Sequence, residues 1–338
     1  MPTALRKGLK IQSGFETVWG TSVAATAIRA ALNDIRYRPG DTLQERDELN
    51  GLLTKATGSA DVLGTSGLVT EGGFMTYQDW LYLMEAGYKT AAPSADAGTP
   101  IAYTRTYQPT LTTDDSPRSA TLEAGGLTEA FKFPGGFVAS YQFTAAMKGY
   151  TMYSANWLAK DMISATFTAA LTRRTVTRAL SQLWTVSIDT SWANLGNTPV
   201  TSCLTNIAFN SGPLYGFTNC INGQTTPVGV IQETAQQPSV VLTFKLDAAT
   251  LALFTDYRAG TTKYLRLKNV GATAIHGTPN VFPTIQYDLA ANMMAWPDVG
   301  QAVAEGALTI PITFNGTFDP TGAAQLKIVS ISSLATLP

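Results

Sequence analysis

Along much of the chain an apolar residue stands at every second position, the period of a strand with one face buried. Ile101 to Tyr107 and Lys263-Tyr264-Leu265-Arg266-Leu267-Lys268 read this way. In the second run Tyr264, Leu265 and Leu267 sit among basic neighbours, which suits a half-buried strand. Val240-Val241-Leu242-Thr243-Phe244 and Gly136-Phe137-Val138-Ala139-Ser140-Tyr141-Gln142-Phe143 are further strands. Two stretches change to helical spacing. Thr76 to Ala86 places Trp80, Leu81 and Met84 on one face, and Ala248 to Ala259 does the same with Leu251, Phe254 and Tyr257. Asp247 is the expected N-cap of the second helix, its carboxylate accepting from free first-turn amides. Gly87 and Gly260 are the expected stops, because glycine enters the left-handed region without steric cost.

The pattern occurs twice. Trp19 and Trp192, each followed by small or polar residues, are 173 residues apart. Ala31-Leu32-Asn33-Asp34-Ile35-Arg36-Tyr37-Arg38-Pro39-Gly40 is echoed by Cys203-Leu204-Thr205-Asn206-Ile207-Ala208-Phe209-Asn210-Ser211-Gly212 at an offset of 172. Long polar stretches follow both, Asp41 to Gly67 and Pro213 to Pro238. The glycine stops are 173 apart, and Phe143 pairs with Phe314 at 171 when the Gly136 run is laid on the Gly306 run. The Ile101 run is laid on the Lys263 run in the same way. A tandem duplication follows, with domains 1–178 and 179–338 joined through Thr172-Arg173-Arg174-Thr175-Val176-Thr177-Arg178. The expected fold is mainly β, two tandem sandwich or barrel domains with one short helix and one long loop each.

Composition narrows the function. In 338 residues there are 23 Lys+Arg against 24 Asp+Glu, and charged residues are 14%, against about 25% in an average soluble domain. Such a chain is not a polycation that condenses nucleic acid. Solubility as a free monomer normally needs charge, so a polar, uncharged, threonine-rich surface points to burial against other copies. No apolar stretch approaches a membrane span and no signal peptide opens the chain, so manufacture in the cytoplasm without membrane insertion is expected. Cys203 and Cys220 match no redox or metal spacing, which leaves them a structural role as thiols.

The search for chemistry returns little. There is no phosphate-binding glycine loop, nucleophile elbow or zinc-protease motif. The single histidine, His276, lies among small residues and reads as a surface residue at a hairpin tip. Asp114-Asp115 stands in a turn, where acids bond nearby backbone amides more readily than they share a substrate. Asn315-Gly316-Thr317 is a chance match to a glycosylation acceptor. The expectation is no enzyme, no cofactor and no metal. Glu45-Arg46-Asp47-Glu48 reads as a solvated loop or as an electrostatic contact to a neighbouring subunit.

Leu9-Lys10-Ile11-Gln12-Ser13-Gly14-Phe15-Glu16-Thr17-Val18-Trp19-Gly20-Thr21 resembles the N-terminal signature of the tail tube proteins of long-tailed bacteriophages. The Glu45-Arg46-Asp47-Glu48 loop, Glu85-Ala86-Gly87, Tyr103-Thr104-Arg105-Thr106-Tyr107, Asp114-Asp115-Ser116-Pro117 and Gly135-Gly136-Phe137-Val138 follow in matching order. The likeness covers about residues 8–150 well and the second half more loosely. It implies β-sandwiches whose strands join those of neighbours into a barrel, with rings stacked into a tube for DNA. A duplicated member implies trimeric rings of pseudo-sixfold symmetry. Its partners would be other copies, a tape measure protein in the lumen, tail terminator and tail-tip proteins at the ends, and double-stranded DNA in transit. The location would be the virion tail, after synthesis in the host bacterial cytoplasm. Glu45, Arg46, Asp47 and Glu48 would then be the contact between stacked rings. Six domains of four strands, about 4.8 Å apart and tilted about 40°, give a circumference of roughly 150 Å and a bore of roughly 38 Å after side chains. A capsid decoration or tail-tip β protein is the nearest alternative.

Overall fold

The computed structural model describes residues 8–45, 60–110, 115–126, 128–221, 223–232, 236–277, 280–296, 302–304 and 306–337. The first half runs β1 (Lys10–Phe15), β2 (Ala27–Ile28), β3 (Leu32–Pro39), β4 (Thr42–Glu45), β5 (Ala60–Gly64), β6 (Gly67–Phe74) and α1 (Trp80–Gly87). It continues with β7 (Ser94–Ala95), β8 (Tyr103–Tyr107), β9 (Ala120–Gly125), β10 (Ala130–Ala146), β11 (Met152–Ala159) and β12 (Ile163–Ala165). The second half runs β13 (Trp184–Asp189), β14 (Leu204–Asn210), β15 (Gly216–Thr218), β16 (Gly229–Ile231), β17 (Ser239–Lys245) and α2 (Ala248–Arg258). Then come β18 (Lys263–Val270), β19 (His276–Gly277), β20 (Asn280–Val281), β21 (Thr284–Ala295), β22 (Ala302–Ala304), β23 (Ala307–Gly316) and β24 (Leu326–Ser332). The fold is mainly β.

Eighteen strands are joined by antiparallel pairing into one network. Each pairing adds one new strand and none returns to an earlier one, so among the described residues the network is branched and open. The branch points are β10 and β21. Each runs through two layers, because a long strand can pair with one set of neighbours at its start and another at its end. In β10 the first part pairs with β9 and β12, and the later part with β11 and β14. In β21 the first part pairs with β18 and β24, and the end with β23.

The pairings match between halves. The run β3–β6–β11–β10 corresponds to β14–β17–β23–β21, and β1–β9–β10–β12 to β13–β18–β21–β24. Register fixes equivalent residues. Tyr37 and Phe209 face Val69 and Val240, which face Trp157 and Phe314. Before the helices the echo runs at 172 residues, as between Tyr37 and Phe209; after them it is 157, as between Trp157 and Phe314.

This corrects two of the sequence pairings. β10 takes the place of β21, not of the Gly306 run, and the counterpart of β18 is β9, not the Tyr103 run. The reason is an extra segment in the first half. After α1 the chain leaves its own unit, and β8 adds to the far edge of the second unit by pairing with β24 from Tyr103↔Ser332 to Tyr107↔Ile328. The Arg105 guanidinium, 2% exposed, donates to the carbonyls of Leu334 and Ala335 at 2.8 Å each. Alternation in Tyr-Thr-Arg-Thr-Tyr predicts a half-buried strand but says nothing about which edge it joins.

The helices differ from one another. α2 has the expected N-cap, and the structure extends it to a capping box: Asp247 Oδ1 accepts from the Thr250 amide at 2.8 Å, the Asp247 amide donates to Thr250 Oγ1 at 3.2 Å, and Gly260 follows at φ +63°. α1 starts at Trp80 rather than Thr76, and all eight of its residues are buried. Gly87 ends it for a packing reason, since a Cβ there would meet Leu214 Cδ1 at 3.2 Å and Val138 Cβ at 3.3 Å. The Thr172–Arg178 stretch lies against α1. Arg174 approaches Asp79 at 3.7 Å and donates to the Tyr82 hydroxyl, and the Arg178 guanidinium covers Phe74 at 5.1 Å.

Candidate assembly interface

The site begins at the seam between the two units. β10 and β14 pair edge to edge over Gln142↔Asn210, Phe143↔Phe209, Thr144↔Ala208, Ala145↔Ile207 and Ala146↔Asn206. Beneath this ladder the core-facing rings stack. Phe143 lies 5.1 Å from Trp184 and 5.3 Å from Phe209, nearly parallel to both, and Tyr287 is tilted against it at 5.3 Å. Offset aromatic pairs contribute beyond their buried area, about 0.5–1.5 kcal/mol each.

Polar tips of the rings near the seam are satisfied, Trp80 and Tyr77 by partners in the second unit and Tyr88 and Tyr141 by each other. Trp80 Nε1 donates to the Tyr287 hydroxyl at 2.9 Å, and the Tyr88 and Tyr141 hydroxyls are 2.9 Å apart. Tyr77 bonds Asn269. Burial pushes the Tyr141 and Tyr287 hydroxyls well above the ordinary phenol range, so both remain neutral hydrogen-bonding groups. The chain leaving β14 then crosses onto the first unit. The Leu214 amide donates to Ala139, the Tyr215 hydroxyl to the Tyr88 carbonyl at 3.1 Å, and Phe217 meets Phe137 edge-on at 5.5 Å.

The seam makes an eight-stranded layer, β3–β6–β11–β10–β14–β17–β23–β21, with β22 continuing β21 along β23. Both ends are one-sided. Among the described residues β3 has β6 as its strand neighbour and β22 has β23. Along β11, β14 and β17 one face is buried and the other is not, whereas no residue of the edge strand β3 is fully buried. The less buried face carries neutral side chains such as Thr70, Asn156, Ser140, Gln142, Thr243 and Thr313. Thr70 donates to Asn156 at 3.0 Å and Asn156 to Ser140 at 3.1 Å, a polar ladder across three strands. Among the described residues of these strands, charge on this face is confined to Asp34, Arg36 and Arg38 on β3 and Lys245 at the end of β17, with Arg36 paired to Asp34 at 3.1 Å.

Of the four residues expected at the ring contact, the backbone of Glu45 alone is described. Glu45 closes β4, and the placement of its side chain, like that of Arg46, Asp47 and Glu48, lies outside the described residues. The hairpin that carries them, β4–β5, exposes Leu43, Val62 and Leu63, which the charge pattern did not signal.

His276 corrects its reading. It does sit on a hairpin, β19–β20, but the side chain is 1% exposed and Nε2 meets Asp96 Oδ2 at 2.5 Å. Gly98 lies against the imidazole, where an added Cβ would fall 2.1 Å from Cε1. The cover comes from the β7–β8 arm, so local sequence could not show it. Asp96 is held below the ordinary carboxylate range, first by His276 and then by the Ala102 amide. Asp115 follows the turn expectation: Oδ2 accepts from the Thr110 amide at 2.8 Å and Oδ1 from its hydroxyl at 2.6 Å. Asp114 lies outside the described residues. Both cysteines are exposed free thiols, so neither packs in the core. Among the described residues no group of three His, Cys, Asp or Glu is placed to hold a metal ion, and no helix is long and apolar enough to cross a membrane.

One equivalence went unread in the sequence. Glu16 accepts from the amides of Gly20 and Gly135 at 2.9 and 2.8 Å, which fixes the turn holding Trp19. Asp189 accepts from Gly196 and Thr198 at 2.8 and 2.9 Å beside Trp192. Asp189-Thr190-Ser191-Trp192 thus repeats Glu16-Thr17-Val18-Trp19, a signal that an acid followed three residues later by tryptophan would have given. No protein-family description matches the chain, and no curated protein matches it.

Proposed function

We propose that the chain is a tail tube subunit of a long-tailed bacteriophage. It assembles in the virion tail as trimeric rings of pseudo-sixfold symmetry, stacked into a conduit for DNA. The observation that carries this reading is the β10–β14 seam. It joins unit to unit through backbone hydrogen bonds, and it leaves counterparts of its two sides open at the ends of the layer. An open strand edge is a template for another strand. Eight strands per chain make 24 in a trimer, the number that gives a bore near 38 Å at about 4.8 Å spacing and about 40° tilt.

The neutral face of the layer supports a bore. Duplex DNA carries about one negative charge per 1.7 Å, so a lumen lined by lysine and arginine would hold it. Hydroxyl and amide side chains hydrate both the wall and the passing duplex over most of the face, with basic charge limited to Arg36 (paired to Asp34), Arg38 and Lys245 at strand ends and the layer edge. The chain therefore passes DNA rather than binding it, and catalyses nothing. A tape measure protein would fill the lumen before DNA, with terminator and tail-tip proteins at the tube ends. Glu45, the last residue of β4, and Arg46, Asp47 and Glu48, which follow it in sequence, would lie between stacked rings.

Negative-stain imaging of the concentrated full-length protein tests the reading. Rings or tubes roughly 100 Å wide, the barrel with its outer layers, are expected; a monomer at every concentration refutes it. Reversing Glu45, Asp47 and Glu48 together should shorten tubes and make them salt-sensitive. Tubes of normal length and salt resistance would remove those residues from the ring contact.

A further inference from the structure

Two grooves occupy equivalent places in the two units. One, of about 330 Å³, is lined on the second unit by Ser181, Gln182, Leu204 and Ile207. Its other wall is the end of β10, Ala145 and Ala146, with the turn that follows. The second groove, of about 390 Å³, is lined on the first unit by Gly8, Leu9, Leu32 and Ile35, the counterparts of those four residues. Lys10, Ile28, Arg29 and Arg173 complete its lining, and among the described residues no strand stands where β10 stands in the first groove.

The missing wall exists at the other end of the same chain. Thr144 pairs with Met152, and Ala302 pairs with Thr309, the register counterpart of Met152. Ala302, Val303 and Ala304 therefore stand where Thr144, Ala145 and Ala146 do. Burial tells the same story. Ala145 is 4% exposed and Ile207 5%, whereas Val303 is 64% exposed and Ile35 is only half-buried.

We propose that β22 of one copy seats in the groove beside β3 of the next, antiparallel, in the register Ala302↔Arg36, Val303↔Ile35, Ala304↔Asp34. The occupant is a second copy of this chain, because the seam within the chain supplies both the pairing and the register. Val303 fills the space over Leu32 and Ile35 that Ala145 fills over Leu204 and Ile207. The inference rests on the ring-forming function and adds to it a specific edge and register.

Directly opposed residues of an antiparallel pair have Cα atoms about 4.5–5.5 Å apart, within the roughly 4.4–6.8 Å span of a disulfide. The test uses full-length protein in a Cys203→Ser, Cys220→Ser background carrying Ile35→Cys and Val303→Cys. Mild oxidation should give a reducible series of cross-linked species ending at the closed ring. A chain with Arg36→Cys and Val303→Cys, one register off and on the opposite face, should give at most a tenth as much. Rings that form without the Ile35–Val303 cross-link, or that cross-link equally in both variants, overturn this register and leave ring formation standing. Absence of any assembly in the parent protein overturns ring formation itself. As a measurement independent of cysteine chemistry, Val303→Lys should raise the concentration needed for assembly at least tenfold. An unchanged threshold overturns the seat.

Discussion

Replacing Phe143 by alanine tests whether the seam couples the two units. The ring is 1% exposed and touches Trp184, Phe209 and Tyr287. Truncating a buried phenylalanine costs about 3–5 kcal/mol, the larger values where the cavity cannot collapse. Collapse is hindered here, since Trp184 is held by its Nε1 bond to Thr151 Oγ1 and Tyr287 by Trp80. The expected loss is therefore about 4–5 kcal/mol, the upper part of that range. For cooperative units of about 150–250 residues each kcal/mol lowers the melting temperature by about 2–4 °C, so a fall of about 10 °C or more is expected. The stack belongs to both units, so the weakened chain should unfold in two separable steps. Thermal and guanidinium unfolding followed by far-ultraviolet circular dichroism and by tryptophan fluorescence reads both effects. Phe254→Ala on α2, where the ring is 39% exposed, is the control and should cost under about 1 kcal/mol. A Phe143→Ala loss no greater than the control would refute the coupling.

The buried Arg29–Glu71 pair, 2.9 Å apart and 1% exposed on both sides, makes a sharper contrast. Glu71→Ala removes the guanidinium's ion-pair partner and leaves it the Asp79 carbonyl at 3.0 Å, and should cost about 3–5 kcal/mol, while Arg29→Met with Glu71→Leu should recover most of it; equal losses in denaturant titrations would contradict this. Burial raises the Glu85 carboxyl above its ordinary value, against the opposing pull of Arg118 and Arg105. Its contribution is thus fully present below the unfolded pKa and lost as pH rises through the raised folded value. Glu85→Gln should flatten that part of the stability–pH curve, and an unaltered curve would refute it. Asp96 has the opposite sign. Its lowered pKa gives stability above the ordinary carboxylate value that is lost as pH falls through the folded value. Asp96→Asn should remove that acid-side slope, and retention of the slope in melts would show that another group carries it.

The legible parts of the fold were those decided within a few residues. The α2 cap needed only Asp247 before a helical run, and the β3–β14 echo only leucine, isoleucine and an aromatic at fixed spacing. What depended on a distant partner was not legible. His276 looks exposed until Gly98 arrives from the first unit. β8 looks like a member of its own sheet because alternation specifies a face and not a neighbour. The open edges at β3 and β22 were equally hidden, since they are defined by which strands do not come. The neutral character of the candidate bore face was visible in composition before any strand was placed, because 14% charge leaves few ions to distribute.

The β8 arm bears on how the protein is made. Arg105 and its acceptor at Leu334 are 229 residues apart. As the chain emerges from the ribosome, the first unit can assemble its inner strands early, but the arm must wait for β24 before it has an edge to join. Contacts of such sequence separation form slowly. During that interval Arg105 and the apolar face of β8 stand uncovered. The β13–β18–β21–β24–β8 sheet is complete only when nearly all of the sequence is available, so a nascent chain cannot present it ahead of time.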